Sequence, residues 1–132
     1  PTVFNFYQPD FQVPGTTILG PPLQIYTESN AVRRANLVNT FIYQTIGLPG
    51  YAPAGSSTVS FAAAMQPFIQ SAGNPGGMVD LMANQLMPGR MSPTTRQVIV
   101  NAVTATPSTD PTNRARTALY LIATSPAFNV NR

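Results

Sequence analysis

Residues 74–126 read NPGGMVDLMANQLMPGRMSPTTRQVIVNAVTATPSTDPTNRARTALYLIATSP, and one device recurs in them: Asn74-Pro75, Ser92-Pro93 and Asp110-Pro111. In each pair a side chain able to accept a hydrogen bond from an exposed backbone N–H precedes a proline. The proline's fixed φ and missing N–H suit the first helical position. Each pair therefore predicts the start of a helix. Behind Asn74 an apolar stripe runs through Val79, Met82, Ala83 and Leu86 and closes at Pro88-Gly89. Behind Ser92 it runs through Thr95, Val98, Ile99, Ala102 and Val103 as far as Pro107, and behind Asp110 through Ala115, Ala118, Leu119 and Ile122 to a stop at Ser125-Pro126. Spacings of three and four put each set on one helix face. The stripes do not align with one another, so the recurrence lies in the caps and is no internal repeat.

Working outward, Ala35, Val38, Ile42 and Ile46, flanked by Leu37 and Phe41, predict a further helix over Ala31 to Ile46, with Thr27 or Ser29 as its cap and Gly47 and Pro49 after its end. Residues 47–58 read as a loop held against the fold by Leu48 and Tyr51. Ser60 is placed to cap a short helix through Phe61, Ala64 and Met65 that Pro67 breaks or kinks. Before residue 27, Pro9, Pro14, Pro21 and Pro22 leave no room for a helix. Yet Val3, Phe4, Phe6, Tyr7 and Phe11 crowd five large apolar groups into nine positions. The fold class expected is all-α: a small bundle of about four to five helices in residues 31–132, with an extended, proline-rich N-terminal arm in residues 1–30. Only Val3 to Tyr7 has a strand-like pattern.

The composition restricts the chemistry. Charged residues make up 8% of 132 residues, against about 25% in an ordinary globular protein. The acids are Asp10, Glu28, Asp80 and Asp110, the cations are seven arginines, and His, Cys and Trp are absent. Ser-His-Asp, Cys-His and Ser-Lys nucleophiles lack a member, and no Gly-x-Ser-x-Gly elbow is present. Four acids without local pairing do not suit a two-carboxylate mechanism, and zinc and calcium lack ligands. Asn74-Pro75-Gly76-Gly77 lacks the Gly-Lys-Ser/Thr of a phosphate loop and reads as a capping loop. The pI of 9.8 rests on a net charge of only +3, spread over scattered arginines with no nucleic-acid motif. In the local reading Arg114 is offset by Asp110, four residues earlier. No catalytic, cofactor or metal residue is expected, and no nucleic-acid partner. No window reaches the roughly 18 apolar residues of a membrane span.

The order of segments carries a resemblance. Val3-Phe4-Asn5-Phe6-Tyr7 with Pro9 and Pro14-Gly15 is followed by Gln24-Ile25 ahead of a helix with Arg34-Ala35-Asn36. Gly89, Met91-Ser92 and Thr95-Arg96 come next, then Arg116-Thr117-Ala118-Leu119-Tyr120-Leu121-Ile122, Thr124-Ser125-Pro126, Val130 and Arg132. This order resembles the C-terminal part of the bacterial domain-of-unknown-function family numbered eighteen hundred. The chain departs from the family pattern at Pro22-Leu23 and at Ala127-Phe128-Asn129, where two acids are lost. The resemblance implies a mainly helical, exported protein with an N-terminal body outside this chain, and it carries no activity over.

The functional expectation is a non-catalytic structural or interaction module, extracellular or periplasmic, that packs on a parent polypeptide or on identical subunits. Phe4, Phe6, Tyr7 and Phe11 form the expected interface, and the five methionines are expected to add adaptable apolar contact at the surface. The alternative is a wall of an active or ligand site whose chemistry lies in the N-terminal body. Pockets lined by Arg34, Arg96 or Arg116 would favour that alternative; arginines bonded to carbonyls and capping acids would favour the structural reading.

Overall fold

A computed structural model describes residues 6–44, 46–47, 58–59 and 63–129, the two short pairs by backbone alone. The elements in order are α1 (Glu28–Tyr43), β1 (Ile46–Gly47), β2 (Thr58–Val59), α2 (Gln66–Ser71), α3 (Pro75–Leu86), α4 (Pro93–Ala105), α5 (Pro111–Thr124) and α6 (Pro126–Asn129), preceded by a 3₁₀ turn over Pro21–Ile25. The fold is all-α, as expected. Extended pairing among the described residues is confined to one antiparallel register, Ile46 with Val59 and Gly47 with Thr58, and an isolated bridge between Gln12 and Leu19.

The chain groups into two compact units, Pro1–Leu37 and Val38–Arg132. In the first, the arm doubles back on itself and is not simply extended. Gly15, at φ +77°, turns the chain between Val13 and Ile18, whose backbones bond at 3.0 Å. The 3₁₀ turn corrects the expectation of no helix before residue 27. Pro21 and Pro22 sit in its first turn, where a missing N–H leaves no bond unmade. Helix α1 begins at Glu28, about a turn before the expected start at Ala31. Thr27 supplies the cap, its Oγ1 accepting from Asn30 N at 3.3 Å, and the helix ends at Tyr43, short of Ile46. Ser60, Phe61 and Pro49 lie outside the described residues.

In the second unit the three Xaa-Pro pairs act as expected. Asn74 Oδ1 accepts from Gly77 N at 3.1 Å, Ser92 Oγ from Thr95 N at 3.1 Å and Asp110 Oδ1 from Asn113 N at 2.9 Å. Ser125-Pro126, expected only as a stop, is also a start: Ser125 Oγ donates to Ile122 O at 2.8 Å, closing α5, and accepts from Phe128 N, opening α6. Pro67 reverses its expected sense. It opens α2 instead of breaking a helix, because the first turn is where proline removes no hydrogen bond.

Met65, Phe68 and Ala72, Met78, Val79, Met82, Ala83 and Met87, Ile99 and Val103, and Ala115, Ala118 and Ile122 make one core. Helix α5 is its axis, touching α2, α3, α4 and α6. Its small Ala115 and Ala118, both wholly buried, let neighbours approach closely. The methionines are core residues and not surface contacts: Met78, Met82 and Met87 are fully buried, Met65 is buried and Met91 packs against them. Unbranched thioethers fill the irregular space between short helices. Val98 leaves its expected place and stands 60% exposed, since it lies about 100° round the helix from Ile99, on the side away from Val103.

Arg114 is the buried cation of this core. It does not pair with Asp110, whose carboxylate is engaged at the cap; instead Nε donates to Thr106 O at 2.9 Å and Nη1 to Ala72 O at 3.1 Å. Those carbonyls belong to the C-caps of α4 and α2. A helix C-terminus carries about half a negative charge, so two of them offset one guanidinium without a carboxylate.

Two predictions follow from these contacts. Arg114→Met should lose about 2 kcal/mol in urea unfolding, since the buried Ala72 carbonyl and the half-buried Thr106 carbonyl both lose their donor, and Arg114→Lys should recover part of it by reaching one carbonyl. A Met variant as stable as the parent would show that the guanidinium holds nothing. Asp110→Ala should cost about 1 kcal/mol through loss of the α5 cap, with helical circular dichroism retained.

Candidate functional site

The expected interface residues divide three ways. Phe4 lies outside the described residues, Phe6 is 71% exposed, and Tyr7 and Phe11 are half-buried. The backbone of Phe11 anchors the arm's turn, its N–H donating to Gln8 O and its carbonyl accepting from Gly20 N. Nothing between residues 6 and 37 is buried, and Ile18, Leu19, Leu23, Ile25, Tyr26, Val32 and Leu37 are exposed, as Phe6 is.

In the helical unit the polar feature is an ion pair between α3 and α4. Arg96 Nε donates to Asp80 Oδ1 at 2.6 Å and Nη2 to Asp80 Oδ2 at 2.8 Å, the two-pronged geometry that fits guanidinium to carboxylate. The sequence holds the local reason. Gly76 leaves room for this guanidinium, because a Cβ there would stand 3.2 Å from Arg96 Nη2. Two glycines in the first turn of α3 weaken its helix propensity by about 1 kcal/mol each; Gly76 admits Arg96, and Gly77 admits the Asn74 cap. Beside the pair lies a hollow of ≈ 150 Å³ lined by Asp80, Ala83, Asn84, Met87, Gly89, Met91 and Arg96. Its charges cancel one another, and its other walls are two thioethers, a methyl group, one side-chain amide and the backbone of Gly89. It can hold a small uncharged group and has no nucleophile or base set apart from its partner.

Arg116 lies over the Tyr43 ring at 5.7 Å, a partly exposed cation–π contact tying α5 to the end of α1. Among the described residues no group of three His, Cys, Asp or Glu side chains comes together, and no helix is long and apolar enough to cross a membrane. Sequence reasoning missed the Asp80–Arg96 pair because its members lie 16 positions apart. The signal that could have found it was Gly76-Gly77, unfavourable inside a helix unless something must come close.

The hydrogen bonds from Arg96 hold the Asp80 carboxyl below the ordinary carboxylate range, a pull larger than the opposing effect of its partial burial. A carboxylate whose pKa is lower in the folded chain than in the unfolded one adds stability at neutral pH and loses it as pH falls through the folded value. The difference in urea midpoint between the parent and Asp80→Asn should therefore be present at pH 7 and close as the pH drops below about 4. It should also shrink in molar salt, because the pair is partly exposed. A difference independent of pH would mean that the pair contributes by shape alone.

No curated protein and no solved structure matches this chain. One family does, over residues 24–130, a span that takes in α1 to α6 and with them the caps, the Arg114 bridge and the Asp80–Arg96 pair. With the greater part of its length so matched, the chain belongs to the family described as protein of unknown function (DUF1800).

Proposed function

We propose that the chain is a non-catalytic structural or interaction module of an exported bacterial protein, seated through its N-terminal arm on a parent body or on identical subunits. The observation that carries this reading is the use to which the polar groups of the helical unit are put. Arg114 holds two helix C-termini, Arg96 holds Asp80, Arg116 covers Tyr43, and Asp110 starts a helix. These charges serve to join helices or, for Asp110, to cap one. The arm supports the same reading from the other side, with Phe6, Ile18 and Val32 at 60% exposure or more. Export and an extracellular or periplasmic setting rest on the resemblance noted from the sequence. The second reading, a wall of a site in the parent body, rests on the hollow beside Arg96.

The test uses the full-length protein in its own host. Photo-crosslinking residues placed at positions 6, 7 and 11 should join either a segment of the same polypeptide outside this chain or a second copy, and the protein should fractionate outside the cytoplasm. Asn84→Phe, which fills the hollow from an exposed position, should leave the function of the parent unchanged. Absence of crosslinks in a monomeric protein, or loss of a parent activity in a well-folded Asn84→Phe variant, would overturn the proposal in favour of the wall.

A further inference from the structure

We draw no further inference here: the strongest candidate, the exposed apolar side chains Ile18, Leu19, Ile25 and Val32 on the N-terminal unit, is a surface patch, and nothing in the structure shows what covers it.

Discussion

The guanidinium of Arg114 is the constraint on which the helical unit depends. It leaves the first turns of α5 and reaches the carbonyl ends of α2 and α4, so that three helices are fixed by one side chain. An apolar side chain would leave the Ala72 carbonyl unpaired in the interior and the Thr106 carbonyl without its donor at the edge of it. A lysine would satisfy one, since its ammonium is compact where the guanidinium is a rigid fork. The position on α5 matters as much as the chemistry. A cation near a helix N-terminus is disfavoured by that helix's own dipole, and here the termini of two other helices outweigh it. The cap carboxylate of Asp110 lies close in sequence but faces its own helix start.

Around this bridge the core is assembled from side chains that do not demand exact neighbours. Methionines fill the space between α2, α3 and α5, and alanines on α5 set how closely those helices come. Such a core tolerates irregular crossing of short elements, at the expense of the rotamer entropy each methionine loses on burial. That suits a unit whose helices run from 4 to 14 residues after α1. The glycine pair of α3 works in the opposite sense: Gly76 and Gly77 weaken their own helix so that a neighbouring side chain can lie against it.

What could be read in advance was whatever is encoded locally. Asn74, Ser92 and Asp110 act within three residues of themselves, and the proline after each narrows the backbone before any tertiary contact forms, so three of the four long helices were legible from residue types alone. Pro67 was misread because a proline looks the same whether it ends one helix or opens the next; the difference lies in which side is packed, and Phe68 and Ala72 on the core settle it. Helix α1 was placed a turn late because its stripe of apolar residues is displaced from its Thr27 cap. Arg114 and Asp80–Arg96 were illegible for a common reason. Their partners are distant in sequence, and for Arg114 they are backbone carbonyls, which every residue possesses. The arm's aromatic residues were singled out from composition, yet composition does not say which of them faces outward.

The span bridged by Arg114 also sets an order in time. The connections from α2 to α3, from α3 to α4 and from α4 to α5 are a few residues long, and loops of that size close in about 10–100 ns, so each helix can meet its neighbour in sequence early. The bond from Arg114 to Ala72 joins positions 42 apart and can be made only after the intervening chain has been gathered in. Helix α2, six residues long and too short to persist alone, keeps its shape through the packing of Phe68 and Ala72 on the core it shares with α3 and α5. The last long-range tie of α2 to α5 is thus made at Ala72, where a single carbonyl oxygen receives the guanidinium.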